Sequence, residues 1–309
     1  NMDGQHRARV GAGLQNMGNT CFLNAVLQCL TYTSSLAHYL LSREHSQSCV
    51  QLADCVMCRV QEHVHKVLHP TASAIKPLDV LTVLPRIGEQ FQLDMQEDAH
   101  EFLRCTLDAM GRACLPAGSN LDIQLTIVYQ IFGGFLRSRV MCSSCQVISD
   151  VYEPFLDVLL DIKEAASLTE ALKNFVKPEL LDGENRFRCC HCGQMAAASK
   201  RMTIHGAPQV LTVGLKRFEV FTGGKISKVV KYPEILDLGP YMSEASGEVQ
   251  LYSLYAVLVH SGDNCHSGHY YCYTKASNGL WYKMDDSSVT PCGINIILQQ
   301  EAYLLFYAR

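Results

Sequence analysis

Over the first third of the chain, apolar residues return at helical intervals. Ala25, Val26, Cys29 and Leu30 form one such set, and Phe102, Leu103, Leu107 and Met110 another. Recurrence near every 3.6 residues puts each set on one helical face, so residues 14–115 are read as mainly helical. The rhythm changes between Ile131 and His205. Residues 155–162 alternate as a half-buried strand does, residues 168–176 return to helical spacing, and two cysteine pairs interrupt what otherwise reads as an extended arm. Past Pro208 the runs become short and β-branched or aromatic: 210–218, 251–260, 269–275, 280–284 and 302–307, with turn formers between them. They predict an antiparallel sheet that closes the chain. There is neither an internal repeat nor a low-complexity tract.

Composition narrows the class. With 309 residues, 48% apolar and 18% charged, the chain has material for a large core and too little charge for a disordered polymer. No Ser/Gly/Pro-rich linker divides it, so one unit with sub-domains is expected. A formal charge of -4 and a pI near 6.3 give no general attraction to nucleic acid or to an anionic membrane, and slightly favour a partner with a basic surface. No apolar run reaches the roughly 18 residues needed to span a bilayer, and no secretory signal pattern is seen. The chain is therefore expected to be soluble and intracellular. An Asn ahead of Met2 reads as extraneous, so residues 1–9 are left out of the fold argument.

Fifteen cysteines, an odd number, with several in C-x-x-C pairs, point to metal ligation in a reducing compartment more than to a disulfide framework. Cys142 with Cys145 and Cys189 with Cys192 have the spacing of a four-cysteine zinc ribbon, although Cys190 and His191 inside the second pair blur which residues ligate. A second set, His45, Cys49, Cys55 and Cys58, with His63 and His65 close behind, is a further candidate zinc site. Neither set leaves the open, His-rich coordination of a catalytic metal, so both are expected to be structural.

One cysteine has a different setting. Cys21 follows Gly18-Asn19-Thr20 and opens the apolar run from Phe22 to Leu30, so Asn19 or Thr20 is a natural N-cap and the thiol falls in the first helical turn. A helix N-terminus favours thiolate and offers N–H groups to an oxyanion. Asn16, in a loop near two glycines, could add a side-chain N–H to the same oxyanion. A thiolate nucleophile needs a histidine. Of twelve, His269 stands where a polar loop, 261–268, meets a strand, whereas His260 ends the preceding strand and His266 lies within the loop. Residues 275–280 form a hairpin turn that brings Asp285 and Asp286 back toward His269. A two-residue loop sets Asp285 across from Cys272, a three-residue loop sets it across from His269, and a four-residue loop gives that place to Asp286. The three-residue loop is favoured, with Asp285 as the orienting carboxylate.

Taken together, these segments resemble the ubiquitin-specific protease family of papain-like deubiquitinating enzymes. The resemblance rests on the boxes Gly13-Leu14-Gln15-Asn16-Met17-Gly18-Asn19-Thr20-Cys21-Phe22-Leu23-Asn24, Gln96-Glu97-Asp98-Ala99-His100-Glu101-Phe102, and Gly268-His269-Tyr270 with Trp281-Tyr282-Lys283-Met284-Asp285-Asp286, in that order from about residue 11 to 309. It implies an α+β papain-like fold with a helical thumb (about 11–125), zinc-ribbon fingers (about 126–208) that can return strands into the palm, and an antiparallel β palm (about 209–309). It further implies Cys21 as nucleophile, His269 as base and then acid, Asp285 as orienter, Asn16 as oxyanion donor and Asp286 as an auxiliary polar partner.

The family's acidic box lines a channel for the Leu-Arg-Gly-Gly tail of ubiquitin, so Asp98 and Glu101, three apart on one helical face, are expected to meet the arginine. Gln96, Gly268 and Tyr270 are expected to line the same slot, with segments 221–225 and 261–268 closing over it. The implied partners are ubiquitin and ubiquitinated proteins, or a ubiquitin-like modifier, handled by a monomer in the nucleus, the cytoplasm or both. The rival outside enzymology is a zinc-containing ubiquitin-binding module. The implied cofactor is structural zinc, with no catalytic metal or organic group.

Overall fold

A computed structural model describes residues 10–244 and 248–309, and the excluded segment 1–9 lies outside the described residues. The first part runs β1 (Gly13–Leu14), α1 (Cys21–Thr31), α2 (Ser34–Leu41), α3 (Glu44–Ser48), α4 (Val56–Leu68), β2 (Ala74–Ile75), α5 (Leu78–Thr82), α6 (Leu84–Ile87), α7 (Ala99–Ala113) and α8 (Ile127–Phe132). Every residue of α1 is buried, as its nearly uninterrupted apolar sequence requires. The exceptions are Asn24, Gln28 and Thr31, which recur at helical spacing and form one polar stripe. Asn24 Nδ2 donates to the carbonyls of Leu14 (3.2 Å) and Gln15 (3.3 Å), and Gln28 Nε2 donates to the Ala12 carbonyl (3.0 Å). The stripe thus lashes segment 12–16 along the buried helix.

The arm comprises β3 (Gly134–Cys142), β4 (Ile148–Phe155), β5 (Val158–Leu160), α9 (Leu168–Val176), β6 (Glu179–Leu181), β7 (Phe187–Arg188), β8 (Met195–Ala196) and β9 (Ala198–Gly206). Helix α9 starts where expected because Ser167 Oγ accepts the Glu170 N–H (3.2 Å) while the Glu170 carboxylate reaches back to the Ala166 N–H (2.7 Å), a close variant of the capping box. The single strand read over 155–162 is two: β4 ends at Phe155 in the four-stranded sheet β4-β3-β9-β6, and β5 crosses to pair in parallel with β10 (Val210–Leu215). The chain bends between them at Leu156, and the carboxylate of the next residue, Asp157, accepts a hydrogen bond from His100 Nε2 at 2.7 Å.

The remaining strands are β11 (Ile235–Asp237), β12 (Leu251–Ser261), β13 (His269–Lys275), β14 (Trp281–Asp285), β15 (Ser288–Cys292) and β16 (Ala302–Ala308), with α10 (Ile294–Ile297) between the last two. The main sheet has the order β15-β14-β13-β12-β16-β10-β5 with β11 on β12. Both faces of its centre are covered. Ala256, Leu258, Leu304 and Phe306 join the helical core, while their neighbours Val257, Val259, Leu305 and Tyr307 join a second core with α9. Burial on both faces explains why β12 and β16 read as continuous apolar runs and not as alternating ones.

Candidate active site

The start of β13 lies against the N-terminal end of α1. The Tyr270 backbone N–H points at Cys21 Sγ from 3.5 Å, and the thiol lies 3.4 Å from Gln96 Oε1, to which it donates. Thr20 occupies the N-cap position but gives no side-chain cap bond, which leaves the end of the helix open to other acceptors. Preceding β13, Gly268 has φ +83, and a Cβ there would stand 2.2 Å from the Ser261 carbonyl oxygen. Only glycine fits that turn, and it sets the direction in which His269 leaves the loop.

His269 Nε2 lies 2.6 Å from Asp285 Oδ1. The hydrogen bond with Cys21, opposed by burial and reinforced by Asp285, raises the His269 imidazolium from its ordinary 6.5 to about 9. The imidazole is therefore bonded to the Asp285 carboxylate and is held protonated above its ordinary range by Cys21 and Asp285 together. The register that achieves this corrects the expected one. Lys275 pairs with Trp281 and Cys272 with Met284, so the hairpin loop contains five residues, 276–280, closed by Ala276 N–H to the Leu280 carbonyl and Gly279 N–H to the Ala276 carbonyl, both 2.9 Å. Asp285 thus comes level with Tyr271, not His269. It reaches His269 along the diagonal, because residues two apart on a strand share a face.

Asp286 faces a different neighbour. At φ +47 it occupies the left-handed region, where Asp is among the tolerated residues. Its Oδ2 accepts from Asn16 Nδ2 (3.1 Å), its Oδ1 accepts from Asn24 Nδ2 (2.9 Å), and its carbonyl accepts the Leu14 N–H (2.8 Å). Asn16 Oδ1 in turn accepts from the Gly18 N–H at 2.9 Å. The Asn16 amide is fixed at both ends, with one N–H left over beside the helix end that carries Cys21. Asn24 was read in the sequence only as the end of the first box and given no role, although a polar residue inside an otherwise apolar helix was the signal that could have assigned one.

The acidic box differs in detail from expectation. Asp98 Oδ1 caps α7 by accepting the His100 N–H (3.1 Å) and also accepts the Tyr303 hydroxyl (2.7 Å), so this oxygen holds the helix in place. Glu101 takes Gln90 Nε2 at 3.1 Å. Glu97, unmentioned in the expected ligand set, is 12% exposed at its side chain, is held above the usual carboxylate range by burial, and faces His266 Nδ1 at 3.6 Å. Tyr270 is also corrected: its ring is fully buried and its hydroxyl donates to the Cys265 carbonyl at 3.0 Å, so only its backbone faces the cleft. Gln96 spans the cleft, since its Nε2 donates to the Ser267 carbonyl at 3.0 Å. His260 Nε2 holds that same carbonyl at 2.7 Å. Across the cleft mouth, loop 261–268 is tied to segment 219–225 by Asn264 Nδ2 donating to the Thr222 carbonyl (3.1 Å).

At the far end of the arm the four expected thiols converge. Cys142 Sγ lies 4.0 Å from Cys192 Sγ and Cys145 Sγ 3.7 Å from Cys189 Sγ. Tetrahedral zinc with bonds of about 2.3 Å separates its sulfurs by roughly 3.8 Å, so the cluster is able to hold structural zinc. The backbone N–H groups of Cys192 and His191 favour the Cys189 thiolate and bring its pKa down to about 6. Cys190 is exposed and stands outside the set. His45, Cys49, Cys55 and Cys58 also converge, whereas His63 and His65 are outside that cluster.

The model of the family described as "Ubiquitin carboxyl-terminal hydrolase" matches residues 12–307. The chain belongs to the ubiquitin carboxyl-terminal hydrolase family. Among human members, Ubiquitin carboxyl-terminal hydrolase 42 is 56% identical over 99% of this chain, and Ubiquitin carboxyl-terminal hydrolase 17-like protein 6 is 51% identical over 98% of it. The chain spans 23% of the length of the first and 75% of the second. Among solved structures, the SAGA Ubp8/Sgf11/Sus1/Sgf73 DUB module bound to ubiquitin aldehyde matches with TM-score 0.87 and 32% identity, over 100% of this chain and 71% of that one. A variant of that module bound to monoubiquitin also gives 0.87, at 32% identity over 99% of this chain and 70% of that one. The papain-like α+β architecture expected from the boxes is the fold of this hydrolase family.

Proposed function

We propose that the chain is a thiol-dependent deubiquitinase that hydrolyses the peptide or isopeptide bond after the C-terminal Gly-Gly of ubiquitin. The observation that carries this reading is the His269–Asp285 pair at the start of β13, where the Tyr270 N–H lies 3.5 Å from Cys21 Sγ at the start of α1. Cys21 Sγ adds to the carbonyl carbon of the terminal glycine, and the resulting oxyanion is received by Asn16 Nδ2 and the amides at the start of α1. His269 gives its proton to the departing amine. Water then attacks the thioester while His269 takes its proton, which releases the carboxylate and returns the Cys21 thiolate beside the His269 imidazolium. Asp285 fixes the imidazole, and Asp286 fixes Asn16. Glu97, Asp98 and Glu101 form an acidic wall for the arginine of the tail, and the slot crossed by the Gln96–Ser267 bond is read as the place of the two glycines, which lack a Cβ.

The same proposal includes a monomer acting in a reducing compartment, nucleus, cytoplasm or both. All fifteen thiols are free, which fits the reducing compartment. No helix among the described residues is long and apolar enough to cross a membrane. The decisive experiment offers the purified chain a ubiquitin with an electrophilic C-terminus, beside a panel of ubiquitin-like modifiers so treated. We expect covalent capture at Cys21 by ubiquitin. Cys21→Ala should lose capture and turnover while still binding ubiquitin. Turnover by that variant, or selective capture by another modifier, would overturn the assignment, and binding without any capture would identify a non-catalytic module.

A further inference from the structure

His260 belongs neither to the triad nor to the acidic wall, yet it is a histidine only 1% exposed beside the cleft. It pairs with Tyr270 across the β12–β13 ladder, where the next pair is Ser261 with His269. Side chains alternate along a strand, so the imidazoles of His260 and His269 leave on opposite faces. His260 is therefore no second base. Its ring packs edge-to-face on Phe218, with centroids 5.1 Å apart, and lies 4.6 Å from the ring of Tyr270.

Both loops at the cleft mouth hang on this one residue. Its Nε2 lies 2.7 Å from the Ser267 carbonyl oxygen, and a carbonyl only accepts, so Nε2 carries the proton. Its own backbone carbonyl accepts Lys225 Nζ at 2.5 Å, and that ammonium, 3% exposed at its side chain, stands 3.9 Å from Glu301. Loop 261–268 folds against the ring: a Cβ on Gly262 would stand 3.2 Å from His260 Cε1, and one on Gly268 would stand 3.1 Å from Nε2. Burial pushes the His260 imidazolium below its ordinary range, opposed by the Ser267 carbonyl and aided by Lys225. The ring is a neutral donor.

The Ser267 carbonyl is thus held from two sides. His260 donates to it from the buried side, and Gln96 Nε2 donates to it across the slot at 3.0 Å. A carbonyl oxygen has two lone pairs, so the two bonds coexist. Only the Gln96 bond has to break when a tail enters, and the His260 bond keeps the carbonyl aimed across the slot. We propose that His260 is a positioning residue for tail binding: its imidazole fixes the Ser267 carbonyl and its backbone fixes Lys225, so that both loops and one aimed acceptor are in place when the tail displaces Gln96. The substrate in this proposal rests on the deubiquitinase reading, whereas the role of the ring in holding the loop does not.

Two variants separate the hydrogen bond from the packing. His260→Gln keeps an N–H near the place of Nε2, and His260→Leu removes it. With ubiquitin carrying a C-terminal fluorogenic amide, the Leu variant should raise KM about tenfold and leave kcat within about twofold, as expected when one hydrogen bond shared by ground and transition states is lost. The Gln variant should bring KM back to within about threefold of the unaltered chain. The alkaline limb near pH 9, which belongs to His269, should stay in place in both. A loss confined to kcat, a moved limb, an unchanged KM in the Leu variant, or equal losses in the two variants would overturn the proposal. A measurement on the unaltered chain covers the case in which the Leu variant fails to fold: nitrogen NMR of the imidazoles should show His260 as the neutral Nε2–H tautomer with a slowly exchanging ring proton. The Nδ1–H tautomer, or a ring proton that exchanges at once with water, would equally overturn it. Absence of any ubiquitin turnover by the unaltered chain would instead sink the hydrolase reading, and the NMR result would still decide what His260 holds.

Discussion

Gln96 stands between two things that must separate before a substrate tail can enter, the nucleophile and the loop above it. It accepts the Cys21 thiol at 3.4 Å and donates to the Ser267 carbonyl at 3.0 Å. This contact must break before the sulfur can attack a carbonyl. Gln96→Leu, which removes both bonds, should speed alkylation of Cys21 by iodoacetamide about fivefold, the equivalent of roughly 1 kcal/mol for one hydrogen bond. An unchanged alkylation rate would show that the amide does not restrain the sulfur. The partner on the other side of the sulfur gives a pH signature. His269 is raised from 6.5 to about 9, first by Cys21 and then, against burial, by Asp285. The sign follows: the interaction stabilises the fold fully below 6.5 and is lost as pH climbs through about 9. The imidazolium that protonates the leaving amine disappears over the same range, so kcat/KM should fall on the alkaline side near pH 9. Asp285→Asn removes one raising influence. It should move that limb to lower pH and reduce kcat by about 10²-fold, within the usual range for general acid–base groups. A pH–rate profile with an unmoved alkaline limb would argue against Asp285 as the orienting group.

At the scale of elements, what could be read in the sequence followed how local the cause was. Helix α9 was legible because Ser167 and Glu170 are written into it, and β13 was legible because turn formers bound an aromatic run. The β13–β14 register was not, because it depends on how Ala276, Gly279 and Leu280 close a five-residue loop, and several loop lengths fit the same letters. Choosing Asp285 over Asp286 nevertheless gave the residue that contacts His269, because strand parity allows a diagonal contact as readily as a direct one. The tail-facing residues were the least legible: burial of the Tyr270 ring and the Asp98–Tyr303 bond arise from packing between segments some 200 residues apart in the chain. Arg217 is a similar case. Fully buried, it donates to the carbonyls of Ala302 (2.6 Å), Ile226 (3.0 Å) and Lys228 (2.8 Å), and so ends β10 while holding the segment behind loop 219–225. The four-cysteine tip was legible from spacing alone, and its energetics follow from how little else is there: its buried core consists of Cys142, Cys189 and Ala196. Zinc substitutes for an apolar core at that end. Chelation with phenanthroline should therefore raise amide exchange in 142–147 and 187–196 and leave β12 and β13 protected. Equal loss of protection in both regions would show that the tip is not an independent local unit.

At the scale of the molecule, the nucleophile and its base come from opposite ends of the chain and meet because one core contains both. Phe22, Leu23, Val26 and Leu27 of α1 share a cluster with Leu258 of β12, Tyr270 and Cys272 of β13, Met284 of β14 and Phe306 of β16. The sheet then carries a second cluster on its other face, which includes Trp281, the single tryptophan. No boundary in this packing lets the helical part loosen while the sheet stays whole. Unfolding should therefore remove the catalytic pairing and the sheet together. The two can be followed separately, because Trp281 fluorescence reports the sheet and the reactivity of Cys21 reports the junction. Their denaturant transitions should coincide, and Leu27→Ala, a truncation at a position 1% exposed, should move both equally by about 2–5 kcal/mol. If the thiol instead became reactive at denaturant concentrations where Trp281 fluorescence was still native, the junction would be a weak seam between two bodies. The position of the triad would then depend on something other than the shared core.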